Sequence, residues 1–266
     1  MTHAKAIFFG EHAVVYKGIT IPLPQMTVDV ELKETNIIQE RDEIISFISD
    51  VCGINDRTEI NINSTIPVGR GLGSSAALSI AIARAKKLTN IREIADKCEK
   101  FIHGNPSGID VNQVLSDTPL LFSKKDGAIP LDFNLDSYLL IIDTGVIGIT
   151  KETLKHIKQN FENYKSYIDE LGEITEKVIE PLKKKAIEIV GAYMYKAHDL
   201  LQKLGVSHES NDDVVNICKN SGALGAKLTG GGAGGCCIAL SKTKENAEKI
   251  QNELAKKGYK SWIVTV

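Results

Sequence analysis

The sequence contains no apolar run of the roughly 20 residues that a membrane-spanning helix requires. Its N-terminus also lacks the apolar segment and small-residue cleavage site of a secretory signal peptide. Instead, Met1 leads through a few polar residues into a strand-like stretch. We therefore expect a cytoplasmic protein with no membrane partner.

A strong charge of either sign is also absent. The chain has 34 acidic and 32 basic residues, which gives a formal net charge of −2. A balance this close to neutral provides no general attraction to nucleic acid or to an anionic membrane. Any anionic ligand must therefore be bound locally, by a few lysines and backbone N–H groups. The sequence leaves open whether the chain forms a homodimer.

The five cysteines show no metal-ligand spacing, and their number is odd. Cys236 and Cys237 are adjacent, which suits neither an ordinary disulfide nor a pair of zinc ligands. We expect all five to be free thiols, buried or half-buried, in a reducing compartment. They are Cys52, Cys98, Cys218, Cys236 and Cys237.

Apolar periodicity predicts an α+β fold, because strands and helices alternate without a regular βαβ pattern. A chain of 266 residues is long enough for two lobes, which we place at residues 1–140 and 141–266. Strands are predicted over residues 6–9, 27–32, 59–63, 138–143, 226–229, 236–240 and 261–266. Helices are predicted over residues 44–51, 76–88, 91–103, 150–171, 174–204, 211–220 and 244–257.

A glycine-rich turn opens into an alanine-rich helix near residue 70. It reads Pro67-Val68-Gly69-Arg70-Gly71-Leu72-Gly73-Ser74-Ser75-Ala76-Ala77. Glycines let backbone N–H groups approach a ligand closely, and a helix start adds partial positive charge, so the segment suits a polyphosphate. It is neither a Walker loop nor a good dinucleotide fingerprint. The alternative is a tight turn into a packed helix.

A second glycine-rich segment runs from Lys227 to Gly235, with five glycines among residues 230–235. A simple hairpin turn would not require so many, since each glycine costs backbone entropy on folding. We expect this loop, with Gly231 and Gly232 at its centre, to pack against the first loop or against bound phosphates. The alternative is a flexible hairpin tip.

A third segment, from His103 to Asp110, is a cluster of turn residues that ends in an acid. Its glycines, asparagine and proline fix a loop in a defined shape. An aspartate in this position is by itself most often a helix cap.

Together the three segments resemble the GHMP family of small-molecule kinases. Residues 67–77 are similar to the family's ATP loop, and residues 227–235 to its third, glycine-rich motif. The resemblance implies a two-lobed fold, with an N-terminal ribosomal-protein-S5-like lobe and a C-terminal ferredoxin-like lobe. Residues 5–16 and 103–110 resemble best the branch of the family whose substrate is mevalonate. The partners implied are ATP and mevalonate.

The resemblance also implies roles for individual residues. Asp110 matches the acid beside the substrate hydroxyl, as proton acceptor or electrostatic anchor, and Lys5 matches the lysine that pairs with it. Glu99 matches the family's metal-binding glutamate, which would hold Mg²⁺ together with a hydroxyl from Ser74 or Ser75.

Four further positions match residues near the phosphate acceptor, namely Glu11, His12, Tyr16 and Thr150. Two features depart from the family pattern. His3 and Ala4 stand where the family has Pro-Gly, and Arg70 places a long cation in the ATP loop, where it would reach a phosphate or point to solvent.

The expected activity is transfer of the ATP γ-phosphate to the 5-hydroxyl of mevalonate. The alternatives are another GHMP kinase, acting on phosphomevalonate, homoserine or a sugar, and a non-catalytic binding protein of the same fold.

Overall fold

The computed structural model describes residues 1–266 except residues 14–16 and 149, and the description leaves out the side chains of residues 150 and 151. None of the helices in the described part of the chain has the length and apolar character needed to cross a membrane. The elements follow one another as β1 (Thr2–Phe9), β2 (Gly18–Glu34), α1 (Glu43–Cys52), β3 (Thr58–Ser64), α2 (Ser74–Ala85), α3 (Ile91–His103), α4 (Ile109–Val114), β4 (Leu120–Ser123), β5 (Gly127–Pro130), β6 (Tyr138–Asp143), α5 (Thr150–Gln159), α6 (Phe161–Lys177), α7 (Ile179–Lys183), α8 (Ile187–Lys203), α9 (Glu209–Asn220), β7 (Gly225–Thr229), β8 (Cys236–Ser241), α10 (Lys244–Lys256) and β9 (Lys260–Thr265).

The chain divides into two compact units that are interleaved in sequence. Unit 1 comprises Met1–Lys5, Pro22–Val68 and Gly73–Asp117. Unit 2 comprises Ala6–Ile21, Gly69–Leu72 and Thr118–Val266. Strands β1 and β2 and the first glycine-rich loop therefore contribute residues to both units. The predicted lobe boundary between residues 140 and 141 stays a prediction.

In unit 1, β2 pairs antiparallel with β3 from Val28↔Ser64 to Glu34↔Thr58. Helix α2 is buried on all sides along Ser79–Ala83, as a segment rich in alanine and isoleucine predicts. Helix α3 is amphipathic, and its buried face consists of Ile94, Ala95, Cys98 and Glu99. A carboxylate on the buried face of a helix requires compensation by its neighbours.

Unit 2 contains an antiparallel sheet with the strand order β7–β8–β6–β9. Every residue of β8 is buried, which includes the adjacent Cys236 and Cys237. Helix α8 lies close to β7 because Gly191 and Gly225 face each other. A Cβ at Gly225 would lie 2.3 Å from the carbonyl oxygen of Gly191, and a Cβ at Gly191 would lie 2.3 Å from that of Leu224. In the same unit, β4 pairs with β5 and with the first residues of β2. The five free cysteines are buried, as predicted.

The predicted helices over residues 150–171 and 174–204 are wrong in their boundaries. The first is broken at Asn160, whose side-chain Nδ2 donates to the carbonyl oxygen of His156 at 2.9 Å and so terminates α5. The second is interrupted after α7, where Lys185 adopts a left-handed φ of 53°. The short elements α4, β4 and β5 were not predicted, because four to six residues carry too little periodicity.

Candidate active site

The lysine and aspartate predicted to pair do so in unit 1. Lys5 Nζ on β1 lies 2.7 Å from Asp110 Oδ1, with the lysine almost fully buried and the aspartate side chain 29% exposed. Asp110 is in the first turn of α4, and the turn is possible because Gly108 takes a left-handed φ of 86° at the helix start. The buried ammonium thus has its counter-ion in a carboxylate that remains accessible to a ligand.

The first glycine-rich loop approaches the same lysine at Gly73. A Cβ added at Gly73 would lie 3.0 Å from Lys5 Cγ, and the residue has a left-handed φ of 71°. Gly73 also precedes the first residue of α2, where no side chain caps the helix. The first-turn N–H groups of α2 are therefore available to an anion beside Lys5.

Glu99 joins this cluster from the buried face of α3. Burial and the nearby charge of Asp110 together raise the pKa of its carboxyl to about 7, against a hydrogen bond from Ser75 and the charge of Lys5, which lower it. His103 Nε2 lies 3.2 Å from Ser75 Oγ and 3.7 Å from Glu99 Oε2. Unit 1 thus gathers two carboxylates, a lysine, a hydroxyl and an imidazole.

The donor atoms of Glu99 and Ser75 fit a magnesium ion. Glu99 Oε1 is buried and has no hydrogen-bond partner among the described residues. Carboxylate and hydroxyl oxygens are the hard ligands that Mg²⁺ prefers. Within the part of the chain that is described, no group of three or more His, Cys, Asp or Glu residues is arranged to hold a metal. An ion held here would therefore take its remaining ligands from water and bound phosphate.

Glu11 is buried in unit 2 and pairs with a lysine that the sequence analysis did not single out. The side chains of Glu11 and Lys227 are both fully buried, and Lys227 Nζ donates to Glu11 Oε1. The same ammonium donates to the carbonyl oxygen of Leu228 at 2.7 Å. The Glu11 carboxylate is enclosed in this way, and its predicted role near the acceptor stays a prediction.

His12 contacts the second glycine-rich loop. Its Nε2 lies 3.0 Å from the carbonyl oxygen of Gly231, an acceptor, so Nε2 carries the proton. Burial, with a smaller contribution from the charge of Lys227, lowers the pKa of His12 to about 4, and the hydrogen bond to Gly231 opposes this shift. The neutral ring leaves Nδ1 as a buried acceptor without a hydrogen-bond partner among the described residues.

The second glycine-rich loop is fixed along its length, so it is not a flexible hairpin tip. The side chain of Asn211 donates to the carbonyl oxygen of Gly234 and accepts from its N–H, both at 3.0 Å. Ala233 N–H donates to the carbonyl oxygen of Val206 at 2.7 Å. Gly232 must be glycine, because a Cβ there would lie 2.2 Å from the same Val206 oxygen.

The two glycine-rich loops meet within unit 2, as predicted. A Cβ at Gly230 would lie 3.2 Å from Gly71 Cα, and Cys236 N–H donates to the carbonyl oxygen of Arg70 at 3.1 Å. The Arg70 side chain does not point to solvent, since its Nε lies 2.9 Å from Asp143 Oδ1. A second Arg70 nitrogen, Nη2, donates to the carbonyl oxygen of Gly145 at 3.1 Å.

Two predicted site residues cannot be placed. Tyr16 lies outside the described residues, and although Thr150 begins α5, its side chain lies outside the description.

Two residues with evident roles were missed by the sequence analysis, His103 and Lys227. Each had a signal, since Lys227 is a lone charge in an apolar strand and His103 follows Glu99 by one helical turn.

The neutral state of His12 predicts an acid-sensitive contribution to stability. An unfolded His12 takes up a proton near pH 6.5, whereas the folded ring stays neutral down to about pH 4. The unfolded chain binds more protons in this window, so the unfolding free energy falls as the pH drops through it. The loss is as much as about 3 kcal/mol.

His12→Gln removes this titration. Its unfolding free energy, measured by urea denaturation between pH 6.5 and pH 4, should therefore fall less steeply than that of the unaltered protein. Parallel curves for the two proteins would contradict the assignment of a buried neutral ring.

Comparison with known proteins identifies the family. The GHMP kinase N-terminal domain matches residues 37–116, and the GHMP kinase C-terminal domain matches residues 178–260. The chain is 30% identical to a mevalonate kinase from Pyrococcus furiosus, over 91% of this chain and 88% of the relative. It is 31% identical to a mevalonate kinase from Thermococcus onnurineus, over 91% and 89% of the two chains.

Solved structures agree. The crystal structure of Methanococcus jannaschii mevalonate kinase superposes with a TM-score of 0.81 at 26% identity and covers 100% of this chain and 97% of that one. The L. major mevalonate kinase in complex with R-mevalonate has a TM-score of 0.87 at 24% identity, with 99% and 94% coverage, which supports the two-lobed α+β fold. Matches to both domains and to nearly the whole length of these relatives lead to one conclusion. The chain belongs to the GHMP kinase family.

Proposed function

We propose that this chain is an ATP-dependent kinase that phosphorylates the 5-hydroxyl of mevalonate and yields 5-phosphomevalonate. The relatives that match it over most of both chains are mevalonate kinases. The observation that carries the proposal is the cluster of Lys5, Asp110 and Glu99 beside the start of α2. It supplies a partly exposed aspartate for a hydroxyl and a buried carboxylate for a metal.

Asp110 would accept the hydroxyl proton or anchor the charge around it. Lys5 Nζ lies 2.7 Å from Asp110 Oδ1, and its ammonium would also attract the developing alkoxide. The acid is partly exposed and the lysine is buried, so a substrate hydroxyl can reach Asp110 while Lys5 stays fixed. Phosphoryl transfer depends mainly on such positioning and charge stabilisation.

Glu99 and Ser75 are the residues that would hold Mg²⁺, with Ser74 as the neighbouring hydroxyl. When bound, the ion neutralises charge on the phosphate oxygens of ATP. Ser75 is the better candidate of the two serines, because its hydroxyl already contacts Glu99 and lies 3.2 Å from His103 Nε2.

The ATP phosphates would bind the glycine-rich loops. The uncapped first turn of α2 offers N–H groups to an anion, and the glycines leave the backbone open to close approach. Residues 67–77, together with Gly231 and Gly232, form the proposed ATP-binding set.

The acceptor would lie near His12, with Tyr16 and Thr150 as further candidates. The Nδ1 of the neutral ring has no hydrogen-bond partner among the described residues and can accept a hydrogen bond, so it suits a hydroxyl donor and disfavours a carboxylate. Glu11, enclosed with Lys227, would act on the acceptor indirectly. A cytoplasmic location, a homodimer and the lack of nucleic-acid binding stay predictions.

A panel of acceptors tests the function directly. Purified protein with Mg²⁺ and ATP is assayed for ADP release with mevalonate, phosphomevalonate, homoserine and galactose. The highest kcat/KM is expected with mevalonate. A higher value with any other acceptor would overturn the substrate assignment, and no turnover with any would favour a non-catalytic protein.

Asp110→Asn should lower kcat by about 10²- to 10⁴-fold, since the amide can neither take a proton nor hold a negative charge. The Kd for ATP, measured by calorimetry, should stay close to that of the unaltered protein. Asp117→Asn is the matched control, because that side chain is fully exposed and lies 3.4 Å from His3 Nε2. Equal turnover by the two variants would remove Asp110 from the mechanism.

Glu99→Gln should raise the Mg²⁺ concentration for half-maximal turnover by at least about 10-fold, because a neutral amide is a weaker ligand than a carboxylate. Binding of ATP without metal should be unaffected, which provides a readout independent of turnover. Glu93→Gln, on the exposed side of the same helix, is the control. An unchanged Mg²⁺ requirement in Glu99→Gln would contradict the metal assignment.

A further inference from the structure

The ion pair between Glu11 and Lys227 is the most deeply buried pair of charges in the described part of the chain. Both side chains have no exposed surface. Burial lowers the pKa of Lys227, and the charge and hydrogen bond of Glu11 oppose that shift. The pair takes no part in the proton or phosphate steps proposed above. Its position therefore requires a separate explanation.

Stability alone does not account for such a pair. Desolvating two charges costs as much as their attraction returns, and apolar residues of similar volume are often as stable or more so. A buried ion pair can instead fix the relative positions of the two segments that carry it. The ammonium of Lys227 donates both to Glu11 and to the carbonyl oxygen of Leu228 at 2.7 Å, so its carboxylate partner is fixed relative to the backbone of β7.

The pair is one of three links between the same two segments of unit 2. Thr229 Oγ1 accepts from Ile7 N–H at 3.0 Å and donates to Ile7 O at 2.9 Å. His12 Nε2 donates to Gly231 O at 3.0 Å. Strands β1 and β7 belong to different sheets, so these side chains take the place of ladder hydrogen bonds. Along the first segment the ion pair lies between the other two links, since Glu11 falls between Ile7 and His12. Along the second segment Lys227 precedes the other two links.

We propose that Glu11 and Lys227 form a buried positioning clamp, which holds His12 and the glycine-rich loop 230–235 in register for the reaction. The clamp rests on the proposed kinase function. Glu11 acts through Lys227 and does not contact the acceptor. Glu11 is next to His12 in the sequence, and Lys227 precedes the loop that contains Gly231. A shift of either charged side chain would therefore move both the imidazole ring and the loop.

A double-mutant cycle separates positioning from packing. The variants are Glu11→Gln, Lys227→Met and the double variant, with Lys242→Met as control, since Lys242 forms an exposed pair with Glu188 at 2.9 Å. Each single variant should lower the Tm, because it leaves a buried charge or polar group unmatched. The double variant should regain most of that Tm.

In the double variant the turnover should stay low even though the Tm recovers. In the double variant, kcat/KM for mevalonate should stay about 10- to 100-fold below that of the unaltered protein, because His12 and the loop are no longer fixed. The NMR titration of His12 should also move towards its ordinary pKa. A double variant with both normal Tm and normal kcat/KM would make the pair merely structural.

Other outcomes are equally decisive. If Glu11→Gln raises KM for mevalonate while Lys227→Met does not, Glu11 contacts the acceptor and the clamp is wrong. If Lys227→Met does not fold, the test uses Glu11→Gln, which preserves the side-chain shape. Its readout is then the NMR titration of His12. An unaltered protein inactive on mevalonate would overturn the proposed function, whereas the ATP Kd and the His12 titration would still test the clamp.

Discussion

Unit 1 is organised around a buried ammonium that must be neutralised. Lys5 is held inside the protein by β1, and its charge is balanced by Asp110 at 2.7 Å, on the first turn of α4. The same charge lowers the pKa of Glu99, which burial and Asp110 raise to about 7. The same lysine thus acts on two carboxylates, and Gly73 leaves room for its side chain. A phosphate group brought here would meet fixed positive charge and a carboxylate ready for a metal.

Unit 2 also contains a buried lysine paired with a carboxylate, but there the carboxylate is buried as well. Lys227 is as deeply buried as Lys5, but its partner Glu11 is buried too, so the pair is closed to a ligand. An open pair suits chemistry, since the accessible acid can meet a hydroxyl. A closed pair suits positioning, because its hydrogen bonds fix the backbone around it. Burial keeps the ring of the neighbouring His12 neutral, and the charge of Lys227 adds to this effect.

Sequence reasoning found the segments of the site better than the contacts within them. The glycine loops, Glu99 and the pairing of Lys5 with Asp110 were all predicted, because glycine spacing and family order are local signals. Arg70 was expected to reach a phosphate or solvent, yet it pairs with Asp143, more than seventy residues away. Lys227 was passed over for a related reason, since a lysine beside glycines reads as part of the loop until its burial is known.

By itself, the sequence determined the family, the α+β class, most strands and the positions of the two glycine-rich loops. The class and the strands follow from periodicity, and the family follows from the resemblance of the glycine-rich and acidic motifs to those of known kinases. Only the tertiary structure decided that Glu11 is enclosed while Asp110 is open, that His12 is neutral and that Ser75 lies against Glu99. The charge state and accessibility of a side chain depend on which residues, distant in sequence, are buried next to it. The order of residues along the chain does not directly reveal these neighbours.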